Sequence, residues 1–152
     1  MKACIICIGN RYIQEDGAGL AVFAEVEKMQ PLPRQIELIE GGLAGLNLLP
    51  LLEQGGRVVF VDSVKGVTQP GEIILVDCWK EMPRDDAGHF DHDAGLAYLL
   101  AVLPRVCDGE PPKEIALVGL EGQCTEKTIK RAARLSLDIA AHGLQNILQD
   151  LG

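Results

Sequence analysis

The chain has 152 residues, with 14 Lys and Arg against 22 Asp and Glu, a net charge of −8. That length suits one domain, expected over 1–152, and 47% hydrophobic with 24% charged residues excludes a disordered chain. An acidic protein without a Lys/Arg cluster repels phosphate backbones, which excludes nucleic acid as a partner. No apolar run approaches the ~20 residues needed to span a bilayer, so no membrane partner is expected either.

Residues 3–8 form a continuous apolar run, the pattern of a strand covered on both faces. The opening Met1-Lys2-Ala3-Cys4 has one positive charge and leads into no small-residue cleavage site, so it reads as this first strand rather than a signal peptide. A cytoplasmic location follows. Cys4 and Cys7 match C-x-x-C, but positions i and i+3 of a strand point to opposite faces and cannot easily chelate one ion. Five scattered cysteines, Cys4, Cys7, Cys78, Cys107 and Cys124, read as reduced thiols rather than a disulfide framework.

Gly17 to Met29 carries a helical apolar stripe, and Gln35 to Glu40 alternates as a strand. Gly45 to Gln54 holds a Leu-rich helix stopped by Gly55-Gly56. Arg57 to Asp62 is a second buried strand. Gln69-Pro70-Gly71 is a turn, followed by a strand over Glu72 to Cys78. Only about nine residues join these two strands, too few for a helical crossover, so the second is expected antiparallel. A helix over Asp93 to Leu103 ends at Pro104, and Asp108 to Pro112 is a polar loop. Glu114 to Leu120 is a strand, and Thr125 to Leu151 reads as one long amphipathic helix capped at Thr125. The fold class is α/β: three layers, α/β/α, with a mostly parallel mixed sheet of about five strands.

Open α/β sheets place sites beyond the carboxyl ends of their strands. Polar residues expected there are Gly9-Asn10 and Glu15-Asp16 after the first strand, Asp62-Ser63 after the third, and the His89 to Asp93 segment before a helix. Two carboxylates and an imidazole converging at one rim are a ligand set for a divalent transition metal. Each also has a plainer reading: Glu15 and Asp16 as helix caps, Asp62 as a turn former, and His89 and His92 as members of a solvated acidic loop. His142, within the terminal helix, reads as structural. Gly9, Gly17 and Gly19 do not make G-x-G-x-x-G, and neither a P-loop nor a G-x-S-x-G elbow occurs. A phosphoacceptor receiver domain would need a Lys ending its last strand, where this chain has Gly119-Leu120-Glu121.

These same residues carry a family resemblance. Gly9-Asn10 followed by Glu15-Asp16-Gly17-Ala18-Gly19 resembles the opening G-N-x(4–5)-D-(D/E)-x-x-G signature of the hydrogenase maturation proteases. Gly41-Gly42-Leu43-Ala44-Gly45-Leu46 resembles their G-G-T-x-G-x segment, with Leu43 in place of Thr. Val61-Asp62 resembles their strand-ending Asp, His92-Asp93-Ala94-Gly95-Leu96 their H-x-x-G/S-L stretch, and Leu117-Val118-Gly119 their late strand. The resemblance spans nearly the whole chain. It implies an endopeptidase that removes the C-terminal extension of the nickel–iron hydrogenase large-subunit precursor after nickel insertion. It also implies that Asp16, Asp62 and His92 are the catalytic and metal-contacting residues, with the Gly95-Leu96 spacing selecting His92 over His89. The nickel would be supplied by the substrate, with no permanently bound cofactor, and the enzyme would be a monomer. Two other readings of the same triad are a hydrolase with its own Zn²⁺ or Ni²⁺ and a metal-sensing binding module without turnover.

Overall fold

The fold is seen in a computed structural model that describes residues 1–9, 17–43, 45–81 and 94–151. Its centre is a five-stranded sheet in the order β2-β1-β3-β5-β4, made by β1 (Ala3–Ile8), β2 (Ile36–Gly42), β3 (Arg57–Val64), β4 (Ile73–Asp77) and β5 (Glu114–Glu121). β2, β1, β3 and β5 run parallel. β4 is antiparallel, as its short connection requires, but it pairs with β5 rather than β3. β5 therefore inserts between two strands that are consecutive in the chain.

The strands alternate between two cores. Ala3, Ile5 and Cys7 of β1, Val59 and Val61 of β3, and Ala116, Val118 and Leu120 of β5 face one side. Ile6, Ile8, Val58, Phe60, Val64, Ile115 and Leu117 face the other. The first side is covered by α1 (Gly17–Glu27) and α3 (Glu126–His142), the second by a 3₁₀ helix (Leu46–Leu52) and α2 (Ala94–Val106). Burial on both faces is why these strands read as unbroken apolar runs. Cys4 and Cys7 point to opposite cores, and burial first, with Glu37 and Glu40 respectively, pushes both thiols up to about 12. They are inert packing residues.

Helix faces follow the 3.6-residue period. Leu96, Leu99, Leu100 and Leu103 of α2 are buried, as are Ile129, Ala132, Ala133, Ser136, Ile139 and Ala140 of α3. Thr125 caps α3, its side chain accepting the Thr128 N–H at 3.2 Å. The expected single terminal helix is broken at Gly143 (φ 91), after which α4 (Leu144–Leu151) begins. A Cβ at Gly143 would stand 3.1 Å from both Arg57 Nη2 and Glu114 Oε1. That space is filled by Arg57, which donates Nε to Glu114 Oε2 at 2.6 Å and Nη1 to Ala140 O at 2.8 Å. A cation on the last carbonyls of α3 also complements the helix dipole.

Three further bounds differ from the sequence reading. β3 continues two residues beyond Asp62 because β5 pairs beside it as far as Val64–Glu121. α2 continues past Pro104 to Val106. The Leu-rich segment after β2 is a 3₁₀ helix containing Pro50, a residue without the N–H that an α-helical ladder needs. Among the described residues, no helix is long and apolar enough to cross a membrane.

Candidate active site

The chain reverses its direction of travel along the sheet at β1 and β3: β1 connects outward to β2, and β2 crosses back to β3. The crevice outside the carboxyl ends of those two strands is where such sheets bind ligands. Asp62 stands at this point, only 2% exposed, with Oδ1 accepting the Ser63 backbone N–H at 2.7 Å. Strand alternation sends the Asp62 side chain to the face covered by α2, and that of Ser63 to the face covered by α1 and α3.

Small residues give the helices and strands close access to this rim. In α1, a Cβ at Gly19 would lie 1.9 Å from Ile8 O and 3.2 Å from Val61 O. Glycine alone lets the first turn of α1 sit against the ends of β1 and β3. Across the sheet, Asp62 pairs in register with Gly119, where a Cβ would meet Ile74 Cγ1 at 2.8 Å and Val64 Cγ1 at 2.9 Å.

The loop after β3 is organised by Glu121, the last residue of β5 and 5% exposed. Its Oε1 accepts the N–H groups of Val67 at 2.7 Å and Thr68 at 2.9 Å, and its Oε2 accepts that of Gly66 at 3.1 Å. Burial pushes this carboxyl up, but the backbone donors of Thr68, Val67 and Gly66 together outweigh burial and hold it below its ordinary range. Glu72 accepts from Thr68 Oγ1 at 2.7 Å and from the Gln69 N–H at 2.9 Å, closing the same loop.

Glu121→Gln replaces an acceptor oxygen with an amide donor against one of these N–H groups, and should cost about 1–3 kcal/mol at neutral pH. A depressed folded-state pKa contributes stability above the ordinary carboxylate value of 4.5, lost as pH falls through the folded value. Urea unfolding of both proteins should therefore show a gap that is full at pH 7 and shrinks below about pH 4.5. A gap independent of pH would mean that the charge is not what holds the loop.

Of the three residues expected at the site, Asp62 is described, whereas Asp16 and His92 lie outside the described residues, as do Glu15 and His89. The helices that follow Asp16 and His92 are described, α1 from Gly17 and α2 from Ala94. Among the described residues, no group of three His, Cys, Asp or Glu side chains could hold a metal ion. His142 occupies the last turn of α3, its backbone carbonyl accepting from Asn146 Nδ2 at 2.6 Å.

Sequence reasoning missed Glu121, and it also missed a cleft of about 540 Å³ on the α1/α3 face. Its walls include Ala18, Ala21, Ser63, Lys65, Gln123 and Ile129. The available signal was alternation: beside a buried Asp62, the next residue must face the opposite side of the sheet.

The hydrogenase maturation protease family model (HycI) matches residues 20–142. The chain belongs to the hydrogenase maturation protease family. Among its relatives, the hydrogenase 2 maturation protease of Escherichia coli (strain K12) is 27% identical over 131 residues, which span 85% of this chain and 78% of that protein. The solved hydrogenase maturating endopeptidase HybD from Escherichia coli superposes with a TM-score of 0.69 at 21% identity, covering 96% of this chain and 93% of that one. The [NiFe] hydrogenase maturation protease HycI from Thermococcus kodakarensis superposes with a TM-score of 0.65 at 18% identity, covering 93% of each chain. At such identities the two structures speak for the fold, which they share with this mostly parallel mixed sheet. Membership of a hydrogenase maturation protease family makes this chain an enzyme, a hydrolase of peptide bonds.

Proposed function

We propose that this protease removes the C-terminal extension of a nickel–iron hydrogenase large-subunit precursor once nickel has been inserted, and that Asp16, Asp62 and His92 contact the substrate's nickel. The observation that supports this reading is Asp62 itself: a buried carboxylate at the switch point of the sheet, aimed at the face on which α2 begins. A cluster of two carboxylates and one imidazole suits nickel without saturating it, so the precursor's own ligands can stay in place. Held there, the ion can polarise the scissile carbonyl, while Asp62 or Asp16 takes a proton from the attacking water. Because the nickel arrives with the substrate, the isolated chain should carry no stoichiometric nickel or zinc by elemental analysis. Stoichiometric metal in it would favour a hydrolase with a resident ion.

The direct test is the intact mass of a large-subunit precursor after mixing with this chain, nickel-loaded and nickel-free. Loss of a C-terminal peptide from the loaded precursor alone is the expected result. An unchanged mass for a cognate loaded precursor would sink the reading.

A further inference from the structure

The sheet has two edge strands, β2 and β4, and their edges differ. β2 carries the exposed charges of Glu37 and Glu40, a guard against pairing with a further strand. β4 has no charge and no proline from Ile73 to Val76. Two bonds fix the direction of its backbone groups: the Glu121 N–H donates to Glu72 O at 3.0 Å, and the Cys78 N–H donates to Ile115 O at 2.9 Å. Antiparallel pairing alternates along a strand, so Ile74 and Val76 turn their N–H and C=O groups to β5. Ile73 and Leu75 turn theirs outward, where no described residue pairs with them. Ile73 and Leu75 on one face of the sheet, and Ile74 and Val76 on the other, are only half-buried. The free edge ends at Asp77, whose O already accepts the N–H groups of Lys80 at 3.1 Å and Glu81 at 2.8 Å. This edge is level with the candidate site, because Ile74 pairs in register with Gly119 and Gly119 with Asp62. A strand added to β4 would stand three strand spacings from β3, about 14 Å, a gap that about four extended residues can span.

From this geometry we infer that the outer edge of β4 holds the precursor's C-terminal extension as an added strand, hydrogen-bonded to the backbone of Ile73 and Leu75, while the scissile bond lies at Asp62. The inference rests on the proposed site at Asp62 and on a substrate cut near its C-terminus. Outward N–H and C=O groups along an apolar strand are matched by an extended peptide backbone, and hydrolysis of a peptide bond brings such a chain to this rim. A chain leaving Asp62 at the carboxyl end of β3 meets β4 at Ile73 and runs toward Asp77, parallel to β4. Its side chains fall alternately beside Ile73 and Leu75 and beside Ile74 and Val76. The edge therefore selects an extended, apolar segment without proline, through its backbone more than through particular side chains. Ile73 and Leu75 are binding residues in this account and take no part in bond breaking.

The test is amide hydrogen exchange of the full chain, read by NMR with and without a synthetic peptide of a cognate extension. Exchange at Ile73 and Leu75 should slow when the peptide is added, whereas Ile74 and Val76, already bonded to β5, should not change. N-methylation of the peptide leaves the protein untouched and should weaken binding at every second residue only. Leu75→Pro removes one outward N–H and no bond to β5, a place where an edge strand tolerates proline. It should raise KM for the nickel-loaded precursor about five- to tenfold, the effect of one lost backbone hydrogen bond, and leave kcat unchanged. Unslowed exchange at Ile73 and Leu75, or equal weakening by every N-methyl group, overturns the inference, and the protease reading stands if the precursor is still processed. Slowing of the same two amides with rising protein concentration, without peptide, would give the edge to a second copy of the chain and overturn it too. Failure of the site is read separately, as undiminished cleavage by Asp62→Asn.

Discussion

Asp62→Asn should lower processing of a nickel-loaded precursor by about 10²–10⁴-fold, the range expected when a positioned acid or base is removed. Asn keeps the size of the side chain and retains an oxygen to accept the Ser63 N–H, a contact now made at 2.7 Å. The melting temperature should accordingly stay within a few degrees of the parent. Asp16→Asn should behave in the same way. Cleavage can be read by intact mass and folding by circular dichroism in the same samples. Undiminished cleavage by both variants would remove the carboxylates from the mechanism. Loss of cleavage accompanied by unfolding would instead assign Asp62 to stability.

The largest effect on stability is expected at Gly19→Ala. The added Cβ would meet Ile8 O at 1.9 Å and the Ile8 carbonyl carbon at 2.9 Å. Both are backbone atoms that cannot rotate away, so α1 must lift from the sheet or β1 must bend. Overpacking usually costs about 1–3 kcal/mol, and a collision with backbone belongs at the upper end. For a chain of this length about 3 kcal/mol lowers the melting temperature by roughly 6–12 °C. Gly17→Ala is the control: it makes the same substitution in the same helix, yet among the described residues nothing lies within 4 Å of its Cβ. It should be neutral or slightly stabilising, since Ala is the better helix former. If the two variants melt together, the packing of α1 against Ile8 is not what the structure indicates.

Much of the architecture is written locally in the chain. The run from Ala3 to Ile8 and the stripe from Ile129 to Ala140 both have the periodicity of the element they form, and Thr125 is the cap its residue type suggests. The antiparallel β4 follows from a short connection. Asp62 could be picked out because an acid ending an apolar run is conspicuous. Glu121 ends an apolar run too, yet its task depends on Gly66, Val67 and Thr68, more than fifty residues earlier.

The boundaries show where local signals stop. Ser63 and Val64 extend β3 because β5 is beside them to supply hydrogen bonds, and nothing in their own identity predicts that neighbour. At Gly143, where φ is 91, the end of α3 also receives Arg57 from across the fold, a contact that no neighbour in the chain announces.

The α/β class, the element types, the two-faced burial of the strands and the family are all legible along the chain, because periodicity, turn residues and motif spacing are properties of sequence neighbours. The placement of β5 between β3 and β4, the hold of Glu121 on the loop after β3, and the cleft on the α1/α3 face emerge from the folded chain alone. Those depend on which strands pair and how far. Pairing is settled by contacts between residues distant in the chain, whose energies no local pattern encodes.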